Sequence, residues 1–155
     1  MMRRKGFTLL ELAIVLVVIG LLIALVMRGM TLQSSAKVKR TAGDLRNIHT
    51  AVMVYYSKKN TYPGDTTGDG YIDSDVAAWD SLAKYSIAFK KPSPYGTNYK
   101  LDTLTVSGTL RNIIKVKLVD PAAKSDIDNL IDDGDTTKGA VFTHSADTTL
   151  VYVVE

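Results

Sequence analysis

The chain contains no cysteine and only two histidines in 155 residues. The lack of cysteine excludes disulfide cross-links and thiol chemistry, so stability has to come from packing or from bound metal. His49 and His144 lie far apart in sequence and form no cluster. The other candidate catalytic residues of an anchored hydrolase are scattered aspartates, which do not complete a catalytic site. We therefore expect no enzymatic activity.

Basic charge is in excess only at the N-terminus. The sequence has 19 Lys and Arg against 16 Asp and Glu, and Arg3, Arg4 and Lys5 supply the whole difference. No basic stripe with interleaved aromatic residues remains, so no specific nucleic-acid partner is predicted. Glutamate is also scarce, since Glu11 and Glu155 are the only two. The other acids are aspartates, which favour turns, caps and oxygen-ligand sites.

Polar side chains are absent from the segment Leu12–Met27. Counted from Phe7, the apolar stretch is interrupted only by Thr8 and Glu11, and as a helix it would be about 31 Å long, enough to span a membrane. The cationic cluster before it should stay cytoplasmic, so the rest of the chain should be exported. The length of 155 residues then leaves room for one globular domain.

Glu11 is the residue in this segment that needs an explanation. A secretory signal peptide is disfavoured, because the apolar run is too long and no small-x-small cleavage site follows it. An uncleaved anchor leaves Glu11 in an apolar run, where a central acid costs about 2.5–3.5 kcal/mol. Cleavage before Phe7 would create an amine four residues away, able to pair with Glu11 within one subunit or across staggered parallel subunits.

The run Lys5-Gly6-Phe7-Thr8-Leu9-Leu10-Glu11, followed by apolar residues, closely resembles the prepilin signature of type IV pilins and type II secretion pseudopilins. This resemblance implies that a prepilin peptidase cuts after Gly6 and methylates Phe7, and that Glu11 supports assembly. It covers about the first 30 residues. Many family members have a proline where this chain has Arg28, so no proline kink is expected here.

The helical pattern continues past Met30 as an amphipathic one, which predicts that the second half of the helix anchors a globular head. The proline and glycine within residues 61–64 should end this helix. The predicted organisation is a leader over residues 1–6, a transmembrane or filament-core helix over 7–30 and a pilin head over 31–155. The apolar stripe that should face the head is Leu45, Ile48, Val52 and Tyr55.

The remaining elements predict an α+β head, in which the long N-terminal helix packs on a small antiparallel sheet. A short helix should start at Asp75 as its cap, with an apolar face of Val76, Trp79, Leu82 and Ala83. Another helix should run from Asp120 to Ile131. Strands are predicted at Tyr99–Val106, Thr109–Val119, Ala140–Thr143 and Thr148–Val154, with turns at residues 107–108 and 145–147.

An aspartate-rich loop lies between the long helix and the first short helix. With Asp65 at position one, the spacing matches the opening of an EF-hand calcium loop, including glycine at position six. The twelfth position is Val76 instead of a carboxylate, so Asp80 or a shifted Asp75 would have to substitute. The candidate calcium ligands are Asp65, Thr67, Asp69, Tyr71, Asp73 and Asp75.

The alternative is an Asp/Gly-rich turn, whose carboxylates accept hydrogen bonds from the loop backbone. A second acidic cluster spans residues 131–135. It is interpreted as a helix-terminating turn, although calcium binding there stays open.

The sequence therefore favours a structural subunit of a type IV pilus-like filament, polymerised through its N-terminal helix. Its partners would be identical or related pilin-like subunits, the prepilin peptidase and the inner-membrane assembly machinery. The precursor should cross the inner membrane once with its head exported, before joining a surface or periplasm-spanning filament. The alternative is a permanently anchored, exported calcium-binding module that keeps its leader and has no use for Glu11.

Overall fold

The computed structural model describes residues 8–88, 92–118, 120–144 and 148–154. Its elements confirm the predicted α+β class. The helices are α1 (Leu9–Lys59), α2 (Asp75–Lys84) and α3 (Ala123–Ile131). The strands are β1 (Lys100–Val106), β2 (Thr109–Lys117), β3 (Val141–Thr143) and β4 (Thr149–Val154). All paired strands are antiparallel, in the order β1-β2-β4-β3.

The chain divides into two compact units, Met1–Ala36 and Lys37–Glu155. In the first, every described residue is exposed, because a single helix has nothing of its own to pack against. Helix α1 runs through Arg28 and Gly29 without interruption. The absence of proline there explains this continuity, since proline is the commonest cause of a sharp kink. The boundary predicted after Met30 concerns the membrane and stays a prediction.

The second unit, here called the head, is built on the amphipathic part of α1. Leu45, Ile48 and Val52 are fully buried, as their spacing predicts, while Tyr55 is half-buried against the same core. The sheet contributes alternate residues such as Leu101, Ile114, Val116 and Leu150. The head therefore has a main core between the helix and one face of the sheet, and a smaller separate cluster formed by Ile113, Val151 and Val153.

The β1–β2 hairpin follows from its turn residues. Val106 pairs with Thr109, so the connection is the two-residue loop Ser107-Gly108. Both residues have positive φ, 51° and 81°, as a type I′ turn requires. Glycine supplies one of these conformations without steric cost.

The short helices differ from prediction in three details. Ser74, not Asp75, caps α2 by accepting a hydrogen bond from the Ala77 N–H, and Val76 is 66% exposed because Ala78 and not Val76 shares the buried face with Trp79 and Leu82. Helix α3 begins at Ala123 because Asp120 forms a preceding turn, accepting from the Ala122 N–H. The turn predicted at residues 145–147 lies outside the described residues.

Candidate functional site

Glu11 lies in the first turn of α1 and is joined to Thr8 by reciprocal hydrogen bonds. Its carboxylate accepts from the Thr8 N–H at 2.8 Å and from the Thr8 hydroxyl at 3.0 Å, and that hydroxyl accepts from the Glu11 N–H at 3.2 Å. This arrangement is a capping box, which satisfies the free donors at a helix start. The predicted processing residues Gly6 and Phe7 lie outside the described residues.

The helix surface next to Glu11 is apolar on all sides. From Leu9 to Leu32 its large apolar side chains expose between 46% (Ile19) and 88% (Leu9) of their surface. Helix α1 is long and apolar enough to cross a membrane. A contiguous apolar surface of this size indicates burial in lipid or against partner helices, because water would make it prone to aggregation.

The aspartate loop uses its carboxylates to hold its own backbone. Asp65 accepts hydrogen bonds from the Gly68 N–H at 2.7 Å and the Gly70 N–H at 3.0 Å. Asp69 accepts from the Tyr71 N–H at 2.9 Å. These bonds are those of an Asp/Gly-rich turn.

Asp73 closes the same loop from its far end. One oxygen of Asp73 accepts from the backbone N–H and the hydroxyl of both Thr66 and Thr67. The bonds from Thr66 are the main reason why the pKa of Asp73 lies below its ordinary value, because they stabilise the charged carboxylate. The predicted ligand Thr67 is thereby brought to Asp73.

Two further side chains attach the loop to the rest of the head. Asp75 accepts from the Trp79 indole N–H and from the Leu101 N–H, each at 2.9 Å. The buried Asn112 accepts from the Ile72 N–H at 2.8 Å and donates to the Gly70 carbonyl at 3.0 Å. No local pattern singles out Asn112, because an asparagine within a strand acquires this role only through tertiary contact.

Three other carboxylates converge in the described parts of the chain. Asp128, Asp132 and Asp133 each bring one oxygen within 4.8 Å of the others. Among the described residues, no three carboxylates of the aspartate loop converge in this way. Calcium binding at the loop stays a prediction. The acidic cluster predicted at residues 131–135 includes Asp132 and Asp133 but not Asp128. The four-residue spacing from Asp128 to Asp132, which places both on one helix face, was the available signal.

The surroundings of the aspartates in this segment shift their pKa values. Burial, followed by the charges of Asp132, Asp133 and Asp135, raises the pKa of Asp128 to about 6. Asp135 behaves oppositely, since hydrogen bonds from the Thr137 hydroxyl and from Lys138 lower its pKa to about 2. Within one short segment, surroundings alone separate the pKa values of two aspartates.

A cleft of about 690 Å³ opens beside the sheet. His49 lines it and lies against Tyr152, with ring centroids 5.1 Å apart, and burial lowers the pKa of His49. No carboxylate is among the described residues lining the cleft. His49 therefore has an aromatic neighbour there instead of the acidic partner that orients a catalytic histidine.

Residues 1–27 match the family model described as the prokaryotic N-terminal methylation motif. Over 104 residues, 64% of this chain and 67% of the relative, the chain is 28% identical to the type II secretion system core protein G of Pectobacterium carotovorum subsp. carotovorum. Its fold is similar to that of the major type IV pilin PilA1 from Clostridium difficile. That similarity has a TM-score of 0.50 at 18% identity and covers 78% of this chain and 96% of the other.

Proposed function

This chain belongs to the family of type IV pilins and type II secretion pseudopilins, and from that premise we propose how it assembles. It is a structural filament subunit, made as a precursor anchored in the membrane. We propose that a prepilin peptidase removes residues 1–6, that Phe7 becomes the methylated N-terminus, and that subunits polymerise through the apolar part of α1.

The observation that carries this proposal is the fully exposed first unit. A helix whose described apolar side chains lie in no core of their own is stable only in lipid or among other helices. In lipid the helix is an anchor. In a filament the same surface packs against copies of itself, so one segment serves both states.

Glu11 would make the contact between the otherwise uniformly apolar helices of neighbouring subunits specific. We propose that its carboxylate pairs with the Phe7 amine of a neighbouring subunit. Apolar side chains pack at many axial offsets, whereas a buried charge without its partner costs several kcal/mol. The pair would therefore fix the axial register between parallel helices.

The capping box allows this idea to be tested against a purely structural role. Glu11→Gln keeps an oxygen that can accept from the Thr8 N–H but removes the charge. Thr8→Val removes the hydroxyl bonds of the cap and keeps Glu11 charged. The assay is the amount of subunit recovered in filaments sheared from cells, with total membrane-bound subunit as the reference.

We expect Glu11→Gln and Glu11→Ala to abolish filaments while the subunit stays in the membrane, and Thr8→Val to assemble. Equal loss in all three variants would assign Glu11 to helix capping alone. Filaments that are indifferent to Glu11 would contradict the proposed pairing and favour a permanent anchor.

We further propose that the partners are identical or related pilin-like subunits and the inner-membrane machinery that extracts them. The head would then lie on the outer side of the membrane and form the filament surface. Calcium at the loop from Asp65 to Asp75 is proposed as an additional stabiliser. Asp69→Asn removes a predicted ligand bonded in the loop only to the Tyr71 N–H, and it would lower the part of the calcium-dependent rise in melting temperature that this loop contributes.

A further inference from the structure

We infer that the head carries a divalent-cation site formed by Asp128, Asp132 and Asp133, at the C-terminal end of α3. One carboxylate oxygen from each residue lies within 4.8 Å of the other two. Three carboxylates this close repel one another in the absence of a cation. Proximity alone would not distinguish this cluster from an ordinary acidic turn, so the case depends on Asp128.

Asp128 is fully buried, with 0% of its surface exposed. Within the part of the chain that the structure describes, neither of its two carboxylate oxygens has a hydrogen-bond partner. A buried carboxylate is normally paired with a cation, hydrogen-bonded or bound to a metal. Both neighbours that converge on Asp128 are themselves acids, so a bound cation supplies what the surrounding side chains do not.

The neighbouring loop holds the other two carboxylates in place. Asp132 accepts from the Ala140 N–H at 2.6 Å through one oxygen, and Asp133 accepts from the Asp135 N–H at 2.9 Å through one oxygen. Each keeps a second oxygen for a cation. Gly139, with a φ of 92°, passes so close to the Asp132 carboxylate that an added Cβ would collide with it.

The ligand chemistry selects the class of ion. The three side-chain ligand atoms that converge at the site are carboxylate oxygens, which favours the hard cations calcium and magnesium over zinc or copper. Calcium is the better fit, since it accepts irregular geometry and completes its shell with carbonyls and water.

Such an ion would join separate parts of the head. Asp128 belongs to α3, whereas Asp132 is bonded to Ala140, whose carbonyl accepts from the Val153 N–H in β4. Cation binding would therefore tie the end of α3 to the edge of the sheet and raise the stability of the folded head.

The test uses the full-length chain in detergent micelles and calcium or magnesium as the probe. Trp79, the only tryptophan, lies in the head core at 4% exposure, so its fluorescence reports head unfolding. We expect calcium to raise the melting temperature by about 4 °C or more relative to chelator, given the usual relation between ligand binding and thermal stability in a domain of this size. Calorimetric titration should give one calcium ion per chain at this site.

Asp128→Asn has nearly the same shape and removes the buried charge, so it should fold and lose the cation-dependent rise. Asp133→Asn, at an exposed position, should also reduce the rise. Asp126→Asn is the matched control, because Asp126 is on the same helix but exposed, and it should respond like the unaltered chain.

Asp69→Asn separates this site from the aspartate loop. The inference holds if Asp128→Asn lowers a rise that Asp126→Asn keeps, whether or not Asp69→Asn lowers the remaining rise. It is overturned if neither cation stabilises the unaltered chain, or if Asp128→Asn responds as fully as Asp126→Asn. It is also overturned if Asp69→Asn removes the response while Asp128→Asn retains it. None of these outcomes depends on filament assembly.

Discussion

The hydroxyl of Tyr99 donates a hydrogen bond to a carboxylate oxygen of Asp44 across 3.1 Å, and both residues are buried. Asp44 lies on α1 and Tyr99 directly precedes β1, so this bond joins the long helix to the sheet. Burial, reinforced by the Asp44 charge, raises the pKa of Tyr99. The phenol is therefore a donor at any physiological pH.

Replacing Tyr99 by Phe keeps the ring in the core and removes this donor. We expect the free energy of unfolding of the head to fall by about 1–3 kcal/mol, because a buried carboxylate loses a hydrogen bond. Urea unfolding followed by Trp79 fluorescence measures the change. Tyr56→Phe is the control, since Tyr56 is 39% exposed, and it should change little. Equal losses of unfolding free energy in the two variants would show that this hydrogen bond does not stabilise the head.

Two loop glycines with similar backbone angles should tolerate alanine very differently. Gly64 and Gly68 have φ of 76° and 80°, but an added Cβ at Gly64 would lie 2.7 Å from the Ala78 backbone nitrogen, while nothing lies within 4 Å at Gly68. Gly68→Ala should cost about 1–2 kcal/mol for the left-handed conformation alone. Gly64→Ala should cost clearly more, as urea unfolding of both variants would show. Equal losses would contradict the close approach.

Asp73 should make the stability of the head depend on pH at the acidic end. Its folded pKa lies below the ordinary 3.8, so it contributes stability above that value and loses it as the pH falls through the folded pKa. Asp73→Asn removes this contribution. We expect the variant to be less stable than the unaltered chain at pH 7 and the difference to shrink below about pH 4.

The control for this pH dependence is Asp69→Asn, because Asp69 accepts only the Tyr71 N–H within the loop. Melting temperatures measured from pH 7 to pH 3 provide the comparison. A difference between the Asp73 variant and the unaltered chain that is constant across this range would contradict the role assigned to the charge.

Asn112 should stabilise the head through the two bonds that attach the aspartate loop to β2. Asn112→Ala leaves the N–H of the buried Ile72 without its acceptor, which should cost about 1–3 kcal/mol. Asn47→Ala, at an exposed position of α1, should be neutral or slightly stabilising, because alanine favours helix. Chemical unfolding of both variants tests this, and a neutral Asn112→Ala would show that the loop does not depend on the sheet.

The elements of the head were predictable because local patterns and packing agree. Turn residues such as Ser107-Gly108 delimit the strands, and the stripe through Leu45, Ile48 and Val52 has the period of a helix face. The predicted strands overlap the observed ones throughout, with differences of one or two residues at their ends.

The features that local sequence patterns do not predict depend on contacts between distant segments. Asp75 is a residue type that commonly caps helices, yet its carboxylate accepts hydrogen bonds from the Trp79 indole and from the Leu101 N–H. Ser74 caps the helix instead. Asp128 resembles the other aspartates in the sequence, and only the packing of α3 reveals that it is buried without a hydrogen-bond partner among the described residues. Periodicity predicts which face of an element a residue occupies. It does not predict which polar group of another segment lies against that face.

The measurement that tests the central claim most directly is the intact mass and N-terminal residue of the protein recovered from its host. A filament subunit processed as proposed begins at Phe7 and carries one additional methyl group on its amine. A chain that still begins at Met1, recovered only from membranes, would contradict processing and assembly together.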